Sequence, residues 1–141
     1  MRVVVDTNVW VSALIMPVGP SGRVVNAIRR GTLRAVATFA LAREVVEVMA
    51  RPRLRRYGID REDATEILIL LSPMLPDVEV DLPVRDSKDL PVLAAALAGA
   101  AEAIVTGDGD LLDDAPLRAL LLERSIEVLA PAELIERLGT P

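Results

Sequence analysis

The strongest constraint on the fold is a run of three valines, Val3-Val4-Val5, cut off by Asp6-Thr7-Asn8. Consecutive β-branched residues with no polar alternation favour a short strand buried on both faces, the habit of a parallel sheet. Parallel strands need crossover connections, usually helical, and the rest of the chain supplies them. Leu33–Ala37, Ala103–Thr106 and Ile126–Leu129 read as further strands, and Val78–Val80 as a short strand or an extended segment. Helical periodicity covers Val9–Ile15, Ser21–Arg30 (with Gly31 as stop), Phe39–Met49, Asp60–Leu71, Leu90–Ala98 and Pro131–Leu138. A short helical stretch is expected after Asp110. Strands alternating with helices indicate an α/β fold with a mostly parallel central sheet. The chain reads as a single domain, 1–141, with an all-helical insert at about 40–72.

Composition narrows the chemistry. The chain has no Cys and no His. That excludes thiolate zinc sites, iron–sulfur clusters, disulfides, His-ligated metals and imidazole-based triads. Hydrolytic chemistry then has to run on carboxylates, hydroxyls, Lys, Arg or a metal held by oxygen. No apolar run reaches the length of a membrane span, and the first strand follows the initiator at once. A cytoplasmic location with no membrane association is therefore expected.

Ligands of open α/β sheets bind beyond the carboxyl ends of the strands. Asp6 and Asp108 occupy two such ends, among the small or polar neighbours Thr7, Asn8, Gly107 and Gly109. Asp89 precedes the almost wholly apolar helix Leu90–Ala98, which should be buried and so carries its first residues toward the sheet edge. The alternative for Asp89 is helix capping; Asp86 is the better pure cap. Glu44 lies on the margin of the apolar stripe Leu41, Val45, Val48 and Met49. It is either paired with Arg43, Arg51 or Arg23, or part of an acidic site. If Asp6, Glu44, Asp89 and Asp108 converge, each pair at 4 Å repels by about 4 kcal/mol at an effective dielectric of 20. A divalent cation would offset that repulsion, and all-oxygen ligands suit magnesium or manganese (Mg2+ or Mn2+). Such a metal activates water and stabilises charge on a phosphate, so the reaction indicated is phosphodiester hydrolysis.

Four segments together resemble the PIN-domain family, which includes the VapC-type toxins of bacterial toxin–antitoxin pairs. They are Val4-Val5-Asp6-Thr7-Asn8, Leu41-Ala42-Arg43-Glu44-Val45, Asp86 to Ala96, and Ile104-Val105-Thr106-Gly107-Asp108-Gly109-Asp110-Leu111-Leu112. The resemblance runs from about Arg2 to Ala130, and Val-Thr-Gly-Asp is similar to the subgroup described as toxin components. It implies a three-layer α/β/α fold with a central, mostly parallel sheet of four to five strands. It implies Asp6, Glu44, Asp89 and Asp108 as catalytic, metal-binding acids, with Asn8 and Thr106 as supporting polar residues. Asp110 is either a further acid of the metal site or a helix cap, and Asp86 competes with Asp89. The implied activity is a Mg2+- or Mn2+-dependent endoribonuclease that uses a metal-activated water. The implied role is the toxin of a type II toxin–antitoxin pair. The implied partners are RNA as substrate, an antitoxin protein, and a second copy in a homodimer or higher homo-oligomer.

Formal net charge is -5, yet Arg51, Arg53, Arg55 and Arg56 fall within six residues. Phosphate contact is one reading of this cluster; a solvated face or a dock for an acidic antitoxin segment is the other. The chain has one Trp, one Tyr and one Phe, so little stacking platform for bases is expected. Trp10 and Met16 are either core or part of an apolar surface shared with a partner. Two other functions remain: a PIN-fold module that binds without catalysis, and a haloacid-dehalogenase-like phosphohydrolase. The second needs an Asp where Asn8 stands and a placed Lys, and Lys88 is the only lysine.

Overall fold

The computed structural model describes residues 1–139. Four parallel strands form one sheet: β1 (Arg2–Val5), β2 (Arg34–Ala35), β3 (Ala103–Val105) and β4 (Glu127–Leu129), in the order β2-β1-β3-β4. Among the described residues eight helices surround it: α1 (Thr7–Ile15), α2 (Pro20–Arg29), α3 (Phe39–Met49), α4 (Arg61–Leu71), α5 (Leu90–Ala98), α6 (Gly109–Leu112), α7 (Ala115–Glu123) and α8 (Pro131–Leu138). Two 3-10 turns, Pro52–Tyr57 and Ser87–Asp89, join α3 to α4 and lead into α5.

The valine run behaves as its composition requires. Val3, Val4, Val5, Ala103, Ile104 and Val105 are all buried, because β1 and β3 are the inner strands and helices cover both faces. Right-handed crossovers send the β1–β2 connection over one face and the β2–β3 and β3–β4 connections over the other. On the first face α2 packs against α1 and α8; on the second α5 lies across β1 and β3. The expected α/β class and mostly parallel sheet are thus found.

The sheet has four strands in its ladder plus one isolated parallel bridge, Thr38 to Leu75, at the β2 edge. The extended segment expected at Val78–Val80 is not a strand. Pro76 has no N–H to give, and Asp77 instead accepts the Ala40 N–H at 2.9 Å, near the start of α3. The opposite edge is closed by Arg118, whose guanidinium donates to the carbonyls of Leu112 and Val128, both at 2.9 Å. Two helices start earlier than expected. Asp6 itself caps α1, and Pro20 rather than Ser21 opens α2, because its fixed φ suits a first turn. Gly22 has no spare room: a Cβ there would stand 1.9 Å from the Pro17 carbonyl oxygen. Trp10 is core, 1% exposed, whereas Met16 is exposed. No helix among the described residues is long and apolar enough to cross a membrane.

Candidate active site

The register of the sheet builds the site. Val5 pairs with Val105, so the next residues, Asp6 and Thr106, emerge side by side at the carboxyl end of the two inner strands. Backbone bonds hold them there: the Asp6 N–H donates to the Val105 carbonyl at 2.9 Å, and the Thr106 N–H to that of Leu129 at 3.0 Å. Each then begins a helix or the approach to one. Asp6 caps α1 by accepting the Thr7 N–H at 2.8 Å, and Asp108 caps α6 by accepting the Asp110 N–H at 2.9 Å.

The side chains are linked through hydroxyls. The fully buried Thr106 donates its hydroxyl to Asp6 Oδ2 at 2.7 Å and accepts the Asp108 N–H at 3.0 Å. One oxygen therefore sets the spacing of two acids. Asn8 donates to Asp6 Oδ2 at 3.3 Å and accepts the Gly107 N–H, also at 3.3 Å, tying α1 to the loop after β3. Glu44 reaches in from the half-buried side of α3, and none of Arg43, Arg51 or Arg23 pairs with it among the described residues. It instead accepts the hydroxyl of Thr7 at 2.6 Å. Thr7, 6% exposed, thus holds Asp6 with its backbone and Glu44 with its side chain. Sequence reasoning did not single Thr7 out as a functional residue; its place between Asp6 and a buried α1 turn was the available signal.

The Asp89 side chain does not cap α5, and the residue is 6% exposed, while Asp86 caps the preceding turn by accepting the Lys88 N–H at 3.0 Å. Burial, followed by the negative charges of Asp108, Asp6, Asp86 and Asp110, pushes the Asp89 carboxyl up from 3.8 to about 6. The Asp6 carboxyl is also raised: burial is the main cause, Glu44 and Asp108 add to it, and the bonds from Thr106 and Thr7 oppose it. Asp6, Glu44, Asp89 and Asp108 therefore lie close enough for Asp6 to feel Glu44 and Asp108, and for Asp89 to feel Asp6 and Asp108. Asp110 is exposed and sits in the first turn of α6.

The donor set is all carboxylate, hydroxyl and amide oxygen, and neighbouring negative charges add to the raised proton affinity of Asp6 and Asp89. That chemistry fits a hard divalent cation. Among the described residues, no three acids are already grouped to hold one. Arg51, Arg53 and Arg55 are exposed, and among the described residues none of them forms an ion pair. Arg55 instead borders a groove with Val46 and Met49. Val46 is about 200° around α3 from Glu44, at 3.6 residues per turn.

Comparison with known proteins gives this arrangement a family. The PIN domain model matches residues 2–110, which span Asp6, Glu44, Asp89, Asp108 and Asp110. The uncharacterized protein MJ1680 of Methanocaldococcus jannaschii is 29% identical over 142 aligned positions, covering 96% of this chain and 90% of that protein. No solved structure matches the chain. PIN domains are generally nucleases and usually use divalent metals. With its family model matched over more than half its length, the chain belongs to the PIN domain family.

Proposed function

We propose that this protein is a metal-dependent endoribonuclease that hydrolyses RNA phosphodiester bonds, and that it acts as the toxin of a type II toxin–antitoxin pair. The observation that carries the catalytic reading is the link Asp108–Thr106–Asp6–Thr7–Glu44, closed on one side by the buried, charge-crowded Asp89. Asp6, Glu44, Asp89 and Asp108 would hold the cation, with Asp110 at the mouth. When bound, Mg2+ or Mn2+ supplies positive charge for phosphate oxygens and makes water easier to ionise. The chain's own residues do the rest. Thr106 and Asn8 fix the Asp6 carboxylate, Thr7 turns Glu44 inward, and the buried flank of Asp89 keeps bulk water from one side. The raised proton affinities of Asp6 and Asp89 make cation binding compete with protons, so activity should fall below about pH 6. The toxin role and its antitoxin partner rest on the likeness of Val105-Thr106-Gly107-Asp108 to the toxin subgroup.

The test is cleavage of a labelled RNA in magnesium or manganese by the wild type and by Asp6→Asn. The wild type should cut and the variant should lose at least a hundredfold in rate with an unchanged circular dichroism spectrum. Equal cleavage by both would refute the assignment of the site.

A further inference from the structure

Between α3 and α4 the chain carries a second surface unlike the rest of this acidic molecule. Arg51, Arg53, Arg55, Arg56 and Arg61 fall within eleven residues that contain a single acid, Asp60. All five arginines are exposed, and among the described residues none forms an ion pair. Asp60 is occupied, since it caps α4 by accepting the N–H groups of Glu62 and Asp63. The turn that displays the arginines is pinned: Leu54 and Ile59 are each 4% exposed, and Gly58, at φ +75, closes the turn between them. Tyr57, the only tyrosine, is left 53% exposed at the end of the turn.

Beside it lies a groove of about 580 Å3 with Val46, Met49, Ile59 and Ala64 in its wall and Arg55 and Arg61 on its border. Unpaired guanidinium groups, an apolar wall and one exposed phenol ring are what a single-stranded nucleic acid needs: cations for phosphates and a flat face for a base. An acidic polypeptide would need the cations but not the ring.

We propose that the turn Pro52–Tyr57 and the adjoining α3–α4 groove form a subsite for single-stranded RNA, with phosphates on Arg55 and Arg61 and a base stacked on Tyr57. The proposal rests on the reading of the protein as acting on RNA, and it adds a place where the strand is held away from the acids. Glu44 and Met49, the last residue of α3, are five residues apart, about 7.5 Å at 1.5 Å per residue, and Val46, in the groove wall, points about 200° around the helix from Glu44. The subsite therefore grips a flanking stretch of the strand, not the bond that is cut.

The experiment is fluorescence anisotropy of a 5′-labelled twelve-residue oligouridine in EDTA, which reads binding without cleavage. Arg55→Glu with Arg61→Glu should weaken binding at least tenfold and lower the slope of log affinity against log salt by about 1.4, the value for two phosphate contacts on a single strand. Tyr57→Leu should weaken binding roughly tenfold, and Tyr57→Phe should leave it unchanged. Arg55→Gln with Arg61→Gln serves if the charge reversals unfold the protein, with a loss of at least fivefold expected. Unchanged affinity in the arginine variants overturns the proposal. So does displacement of oligouridine by polyglutamate together with indifference to Tyr57→Leu, which would make the surface a dock for an acidic protein. Because no cleavage is read, loss of activity in Asp6→Asn and loss of binding here are separate results.

Discussion

Replacing Asp89 by Asn should make the metal-free protein more stable at neutral pH. The folded state holds the Asp89 carboxyl near 6 instead of 3.8, a difference worth at most about 3 kcal/mol before solvent screening. Solvent screening at the open side of the site lowers that ceiling. The direction follows from linkage. A carboxyl whose pKa is raised on folding binds its proton more tightly in the native chain. Its cost is absent below about pH 4, where both states are protonated, grows between about pH 4 and pH 6, and is complete above it. Asparagine carries no charge at any pH. The stability gained by Asp89→Asn should therefore be near zero at pH 3.5 and reach its plateau by pH 7, a rise in melting temperature of roughly 10 °C at the ceiling. Urea denaturation of both proteins in EDTA across pH 3.5–7.5 measures the difference directly, and using the difference cancels the other titrating groups. Glu127, for example, is lowered by its bond to Arg137 and pulls the opposite way. A pH-independent difference, or one that shrinks as pH rises, would refute the argument that burial, with the neighbouring negative charges, raises the Asp89 carboxyl.

Three other perturbations test separate links. Thr7→Val removes the hydroxyl that Glu44 accepts, and should lower RNA cleavage ten- to a hundredfold for about 1 kcal/mol of stability, with Thr7→Ser close to wild type; kinetics beside thermal melts will show it. Gly22→Ala drives a methyl against the Pro17 carbonyl and should cost about 1–3 kcal/mol in a denaturant titration, with no change in the pH profile of cleavage. Trp10→Phe deletes a buried indole N–H that has no partner among the described residues, so the loss of ring volume is offset and chemical denaturation should find a change below about 1.5 kcal/mol, not the usual cost of a truncated core aromatic.

Much of this architecture was readable before the structure, wherever a local signal agreed with the tertiary environment. The bounds of α3, α5 and α8 follow from apolar periodicity with a proline or glycine at their margins, and α4 follows from the Asp60–Asp63 capping box. That Asp6 and Thr106 are neighbours follows from two strand ends in a parallel sheet. What was not readable depended on partners distant in sequence. Glu44 sits on a helix margin that served equally for an arginine pair, and only the arrival of Thr7, 37 residues earlier, decides it. Asp86 reads as the better cap, but only the burial of Asp89 and its lack of a capping bond separate the two. Val78–Val80 has the composition of a strand, yet Pro76 and the bond from Ala40 to Asp77 take the backbone elsewhere. The exposure of Tyr57 depends on Leu54 and Ile59 being pulled inward around it, which no aromatic count reveals.

The strand order has a consequence for how the chain is made. β1 emerges first from the ribosome, but its inner neighbour is β3, and the hydroxyl that positions Asp6 belongs to Thr106, 100 residues later. Until that residue has left the exit tunnel, Asp6 and Glu44 are linked only through Thr7, and Asp89 lacks the neighbouring charge of Asp108. On the proposed reading of the site, a nascent chain is therefore inert through most of its synthesis. The site comes into being in one late step, when β3 slides in beside β1, and a partner that must meet the finished site has only that interval and afterwards in which to do so. The same long-range closure makes this a slow step of folding, because the loop joining the two strands must be ordered before their pairing repays it.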